Sequence, residues 1–135
     1  MAYANATQVY ALNTGRTFTA TSRPSIGQVN GFLEETAAVI DSILSEQSYV
    51  TPVGTTATGA RLVLAHYNAI GAAKMVEDAA PTSDRRKEAT EMWLWAQKML
   101  KSGSIEFPDA ELNVAHDMPS SSLPATAMFS RDMEF

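Results

Sequence analysis

Apolar positions recur at helical spacing in three long stretches of the chain. In the first stretch, apolar residues return every three or four positions from Ile26 as far as Leu44. Ser25 precedes this series and Gln28 stands three residues later, so each of these two side chains can satisfy a free backbone N–H at a helix start. The pattern therefore predicts an amphipathic helix over residues 26–47.

The second stretch, residues 57–80, is apolar on two faces. At about 100° per residue, one stripe consists of Leu62, Ala65, Ala69, Ala72, Ala73 and Val76, and the other of Leu64, Tyr67, Gly71 and Met75. A helix that is apolar on two faces packs between neighbours, and small residues allow a close approach, so this helix is predicted to be the central one. His66 falls on one arc with Lys74 and Glu77, which indicates a partly solvated polar face.

The third stretch is predicted to be a helix with Ser83 as its N-cap and Gly103 at its end. Its apolar stripe contains Ala89, Met92, Trp93, Ala96, Met99 and Leu100. Leu94 points nearly opposite to this stripe, and Trp95 lies at its edge. These two side chains are therefore candidates for contacts with another subunit.

The chain after the third helix differs in charge and in composition. Residues 1–104 carry nine basic and nine acidic groups, whereas residues 105–135 carry six acidic groups and one basic group, which accounts for the net charge of -5. This C-terminal segment has three prolines and no sustained periodicity, yet it holds ten large apolar side chains. We interpret it as an arm that orders against its own bundle, a neighbouring copy or a partner; simple packing back along the helices is the alternative.

These patterns predict an all-α fold. A small bundle of three main helices, with a short N-terminal helix over residues 7–12, is expected to occupy residues 1–103. The acidic C-terminal arm is expected to span residues 104–135.

Signatures of catalysis or of a resident cofactor are absent from the sequence. There is no cysteine, and neither His66 nor His116 has an acidic or histidine neighbour at metal-ligand spacing. The basic run at residues 85–87 is flanked by acidic residues on both sides. A solvated helix face whose basic and acidic side chains pair with each other is therefore favoured over a nucleic-acid-binding patch. No apolar run approaches the roughly 18 to 20 residues of a membrane span. We therefore expect no enzyme, metal, cofactor or membrane partner; an enzyme would require acidic side chains from different helices to converge in a pocket.

Three segments resemble a known family. They are the run ALNTGRTFTATSRPSIGQVNGFLEETAAVIDSIL at residues 11–44, the Tyr-x-x-Pro-Val turn at residues 49–53, and the ending MFSRDMEF at residues 128–135. Together with an alanine-rich central helix and a tryptophan-containing third helix, they resemble the small head-to-tail connector (adaptor, or head completion) proteins of long-tailed bacteriophages.

The resemblance implies a structural virion protein. Proteins of this family form a ring, commonly of twelve subunits, under the portal protein at the capsid vertex, in the neck of the virion. The ring prolongs the DNA channel without sequence-specific DNA binding and offers a platform to the stopper or tail-completion protein. Before assembly such a protein would be found in the host cytoplasm. The C-terminal segment of relatives reaches into the portal, so the portal-binding residues here would be Met128, Phe129, Arg131, Asp132, Met133 and Phe135.

A role as a DNA conduit also predicts the charge of the channel wall. Basic walls hold the closely spaced phosphates of DNA strongly, so walls that let DNA slide should be acidic, at least within about 8 to 10 Å of the lumen surface. The candidates for lumen-facing positions are Glu34, Glu35, Asp41 and Glu46. The competing hypothesis is a monomeric helical interaction module that uses its acidic arm to bind a basic partner.

Overall fold

Four helices form the fold in the computed structural model, which describes residues 2–13 and 16–112. They are α1 (Ala6–Leu12), α2 (Ile26–Glu46), α3 (Thr58–Ala79) and α4 (Arg86–Lys101). The described residues contain no strand beyond one isolated bridge. Helix α3 packs against each of the other three helices. The predicted all-α bundle with a central second long helix is thereby confirmed.

Local capping explains where the first two helices begin. At the start of α2, the Gln28 backbone N–H donates to the Ser25 hydroxyl at 3.2 Å, and the Ser25 N–H donates to the Gln28 side chain at 2.9 Å. Asn5 and Gln8 repeat this arrangement at the start of α1. Because each pair satisfies two backbone donors that the helix cannot satisfy itself, both helix starts are fixed by residues adjacent in sequence.

The core lies on both sides of α3. One cluster joins α2, α3 and α4 around Leu44, Leu64 and Leu100, all of them fully buried. The other joins α1 and α2 to the second half of α3 through Val9, Val29 and other buried residues. Burial of each such side chain contributes about 1.5 to 3 kcal/mol, and α3 contributes residues to both clusters.

Gly71 marks the closest approach of α3 to its neighbours. A Cβ atom at this position would stand 2.9 Å from the Thr36 side chain of α2 and 2.9 Å from the Trp93 ring of α4. Only glycine fits between these two side chains. The predicted close packing through small residues of the central helix is therefore observed at this point.

Two residues assigned to apolar stripes are exposed. Leu62 is 76% exposed and Met92 is 46% exposed, so both predictions of core burial were wrong. The other members of the stripe that begins with Leu62 are buried from Ala65 onward, so Leu62 is the one position of this stripe that no other segment covers. Met92 lines an open cleft that Leu12 of α1 borders.

The start of α4 also differs from the prediction. Arg85, not Ser83, occupies the N-cap position, and no side chain caps the helix. The Ser83 hydroxyl donates instead to the carboxylate of Glu77, which as an anion is a stronger acceptor. At the other end, the helix stops at Lys101, and Gly103 adopts a φ of 71°, a left-handed conformation that favours glycine.

Candidate functional site

The first residues of the predicted arm pack into the core of the bundle. Phe107 is 4% exposed and belongs to the same core cluster as Leu44. Its ring meets the edge of the Tyr49 ring at 5.7 Å between centroids, and its N–H donates to the Tyr49 hydroxyl at 3.2 Å. Residues 105–112 are therefore packed on the bundle, and the packed core extends beyond the predicted boundary at residue 103.

Asp109 fastens this segment to the start of α3. Its carboxylate accepts the backbone N–H of Gly59 at 2.8 Å and that of Ala60 at 3.2 Å. The residue at the N-cap position, Ala57, supplies no side-chain hydrogen bond. A carboxylate at a helix N-terminus satisfies free donors and is favoured by the helix dipole, so Asp109 provides the cap from 49 residues further along the chain.

The segment ends in a short pairing with the loop after α2. The Val50 N–H donates to the Glu111 carbonyl at 2.9 Å, and Leu112 forms an antiparallel bridge with Tyr49. We call residues 105–112 the arm root. The chain beyond it starts at the end of the bundle where α2 ends and α3 begins. The predicted portal-binding residues, Met128, Phe129, Arg131, Asp132, Met133 and Phe135, lie outside the described residues.

The candidate subunit contacts on α4 are exposed. Leu94 is 58% exposed and Trp95 is 49% exposed. The Trp95 ring packs edge-on against Tyr67 of α3 at 5.9 Å, which leaves part of the indole open to a neighbour. Leu94 lies with Lys98 and Lys101 around a shallow surface depression. Contact of these residues with another subunit stays a prediction.

The four candidate lumen acids differ in their surroundings. Glu34, Glu35 and Glu46 are exposed on α2, whereas Asp41 is half-buried and accepts a hydrogen bond from the Tyr3 hydroxyl. Burial raises the pKa of Asp41 above its ordinary value, while the bond from Tyr3 opposes that shift. The pKa of the Tyr3 hydroxyl is raised as well, mainly by burial and then by its bond to Asp41. Asp41 is thus tied to the N-terminal segment, and the exposed acidity of α2 belongs to the three glutamates.

Glu77 forms a buried polar cluster that the sequence pattern did not indicate. Its side chain is 2% exposed, and Arg16 binds both carboxylate oxygens, at 2.8 and 3.0 Å. Asn13 donates to the same carboxylate at 2.6 Å, and Ser83 donates a further bond. These contacts, first among them the bond from Arg16, lower the pKa of Glu77 to about 2. The prediction of a partly solvated face was wrong for Glu77, since no local signal links it to Arg16, 61 residues away.

One residue of the basic run at the start of α4, Arg86, forms hydrogen bonds within the bundle. The Arg86 guanidinium donates to the carbonyl of Ala80 at 2.6 Å and to the backbone carbonyl of Glu77 at 3.0 Å. A cation at these carbonyls is stabilised by the C-terminal end of the α3 dipole. Arg86 therefore closes the α3–α4 turn.

A cleft of about 260 Å³ lies between α1, α3 and α4. Leu12, Ala73 and Met92 provide apolar lining, and Glu77 is its most perturbed acid. Since that carboxylate is already ionised and bound by several donors, it is poorly suited to exchange a proton near neutral pH. Among the described residues, no group of three or more histidine, cysteine, aspartate or glutamate side chains is placed to hold a metal ion.

No helix in residues 2–13 and 16–112 is long and apolar enough to cross a membrane. Comparisons of this protein with protein-family models, with curated proteins and with solved structures found no match.

Proposed function

We propose that this protein is a head-to-tail connector of a tailed bacteriophage, a ring-forming adaptor that binds below the portal and extends the DNA channel toward the stopper or tail. The sequence resemblance over residues 11–44, 49–53 and 128–135 supports this proposal. The helical bundle is compatible with it, because a conduit needs a rigid wall and no reactive group.

The arm root is the observation that carries the proposal. Phe107 in the core, Asp109 on the α3 N-terminus and Leu112 beside Tyr49 hold the chain at three successive points. A force applied to the chain beyond residue 112 is thereby transmitted directly to α2 and α3. A connector needs such an attachment, because its partner-binding segment must stay fixed to the folded bundle.

The length of the arm suits a partner outside the bundle. The 23 residues from 113 to 135 can span at most about 80 Å when extended. By comparison, the longest helix, α3, has 22 residues and measures about 33 Å. The final eight residues combine Phe129, Met133 and Phe135 with one basic and two acidic residues, a composition that fits apolar pockets with a polar rim, as in protein–protein interfaces.

The exposed glutamates of α2 fit the channel role. Helix α2 carries four acidic residues and no basic residue, so its exposed glutamates repel a DNA backbone instead of holding it. Screening confines such repulsion to about 8 to 10 Å at physiological salt. Only the glutamates that reach the lumen in the ring contribute.

Deletion of residues 127–135 tests the proposal. We expect the truncated chain to keep its helical circular dichroism and its thermal unfolding midpoint, and to lose binding to portal rings of the same phage in co-sedimentation. The full-length protein is the control, and electron microscopy of virion necks should place it directly below the portal. A chain that stays monomeric by mass with portal rings present, and binds a basic partner through its arm, would instead identify an interaction module.

A further inference from the structure

Helices α2 and α4 each present an exposed stripe with the same spacing. Each stripe has four residues in steps of four, three and four positions, which places them along one face of the helix. The α2 stripe consists of Glu35, Val39, Ser42 and Glu46, and the α4 stripe consists of Lys87, Glu91, Leu94 and Lys98; all eight residues are exposed. Each stripe therefore has charged ends and an apolar position between them.

The two stripes are complementary when the helices run antiparallel. In that register, each step forward along α4 corresponds to an equal step backward along α2. The facing pairs are Lys87 with Glu46, Glu91 with Ser42, Leu94 with Val39, and Lys98 with Glu35. Both end pairs join opposite charges, and the apolar pair joins side chains that are 58% and 38% exposed, respectively, in the single subunit.

Building on the connector function proposed above, we propose that the α4 stripe of one subunit packs antiparallel against the α2 stripe of the next subunit around the ring. The partner is thus a second copy of this chain. The depression beside Leu94 and Lys98 can accommodate Val39 of the neighbouring copy. Trp95, half exposed on the same helix, adds apolar area at the margin of the contact.

Neither stripe is complementary to itself. Two α2 stripes in antiparallel register would bring Glu35 against Glu46, and two α4 stripes would bring Lys87 against Lys98. Like charges placed opposite each other disfavour both symmetric pairings. A contact between two different patches repeats from copy to copy, and it closes into a ring when the rotation allows.

The charged ends of the stripes are available for such a contact. In the described part of the chain, no ion pair involves Glu35, Glu46, Lys87 or Lys98. Exposed pairs of this kind are individually weak and are screened by salt. The contact also covers one helix pair only, which corresponds to the small interfaces of transient complexes. Assembly is therefore expected to fall as salt is raised and to be favoured by the portal, which holds the subunits side by side.

This contact divides the acidic residues of α2 between two roles. Glu35 and Glu46 enter the seam between subunits, where they are neutralised by lysines. Glu34 lies about 100° away from Glu35 around the helix, outside the α2 stripe. Among the exposed α2 glutamates it is the one that stays a candidate for the lumen.

Disulfide cross-linking tests the register directly, because the natural chain has no cysteine. In the Val39→Cys/Leu94→Cys variant, we expect mild oxidation to give a ladder of dimers, trimers and larger covalent oligomers on denaturing gels. The Leu62→Cys/Leu94→Cys variant is the matched control and should give no ladder, since Leu62 is exposed on α3 outside both stripes. The experiment is run with and without portal rings. The proposed contact would be overturned if the ladder is absent under both conditions, or if the single variant Val39→Cys already forms disulfide-linked dimers.

Charge exchange provides a second test. Variant one carries Glu35→Lys and Glu46→Lys, and variant two carries Lys87→Glu and Lys98→Glu. Each alone should lower the yield of rings at least about tenfold, because like charges then face each other across every seam. A mixture of the two should restore rings of alternating composition, and so should one chain with all four changes.

The controls keep this inference distinct from the connector function. Arg23→Glu alters an exposed charge outside both stripes and should leave ring yield unchanged. Circular dichroism checks that each variant is folded. Rings that bind the portal without the predicted cross-link and without rescue by mixing would refute this contact alone. Cross-linked rings that fail to bind the portal would refute the connector function alone.

Discussion

The Asn68 side chain of α3, fully buried, accepts the backbone N–H of Tyr3 at 2.8 Å. The same oxygen accepts the Ala4 N–H at 2.9 Å, and the Asn68 amide nitrogen donates to the Leu33 carbonyl at 3.0 Å and to the Thr36 hydroxyl at 2.8 Å. One fully buried amide thus joins the N-terminal segment, α2 and α3.

Replacing Asn68 with leucine should therefore destabilise the bundle. The change removes four hydrogen bonds and leaves the backbone N–H groups of Tyr3 and Ala4 without their acceptor, at a cost of about 1 to 3 kcal/mol for a single such group. We expect a loss of about 3 kcal/mol or more in the free energy of unfolding, measured by urea denaturation. Asn30→Leu, at an exposed position of α2, is the control and should change stability by less than about 0.5 kcal/mol.

Acid should weaken the fold through Glu77. The pKa of this carboxyl is about 2 in the folded protein against 4.5 ordinarily, so the unfolded chain takes up the proton first as pH falls. The stabilisation is fully present above pH 4.5 and is lost between pH 4.5 and about 2. It amounts to about 3 kcal/mol.

Glu77→Gln isolates this contribution. Its free energy of unfolding should be lower than that of the natural protein at pH 6 and should depend less on pH between 5 and 2, because the titrating group is gone. Glu106→Gln, an exposed carboxyl, serves as the control. Equal pH dependence in Glu77→Gln and the natural protein would contradict the role given to the Arg16–Glu77 pair.

Two glycine-to-alanine changes should have opposite effects. At Gly71 a new methyl group would clash with Thr36 and Trp93 at 2.9 Å, so Gly71→Ala should cost about 1 to 3 kcal/mol despite the better helix propensity of alanine. At Gly31 nothing lies within 4 Å of the added carbon, so Gly31→Ala should stabilise α2 by about 0.5 to 1 kcal/mol. Thermal unfolding of both variants measures the contrast, and similar midpoints would refute the close packing at Gly71.

Loss of the Asp109 cap should loosen the arm root without breaking the bundle. Asp109→Ala removes the acceptor of the Gly59 and Ala60 N–H groups, and we expect a loss of about 1 kcal/mol. Hydrogen exchange should speed up at Gly59 and Ala60, whereas exchange in the middle of α3 should be unchanged. Glu106→Ala is the control, and unchanged exchange at Gly59 in Asp109→Ala would show that the cap does not protect the start of α3.

The sequence determined the elements whose causes are local. The start of α2 was predictable because Ser25 and Gln28 cap it within three residues, and the α2 and α3 spans followed from periodicity. The exposure of Leu94 and Trp95 followed from the angles at which they leave the helix.

Only the tertiary structure decided the features that depend on distant neighbours. Arg16 meets Glu77, Tyr3 meets Asn68, and Asp109 caps α3 although 49 or more residues separate each pair. Leu62 is exposed although the rest of its stripe is buried, a difference that periodicity in α3 cannot predict. Periodicity indicates which side of a helix is apolar, whereas burial and polar pairing depend on which other segment of the chain packs against that side.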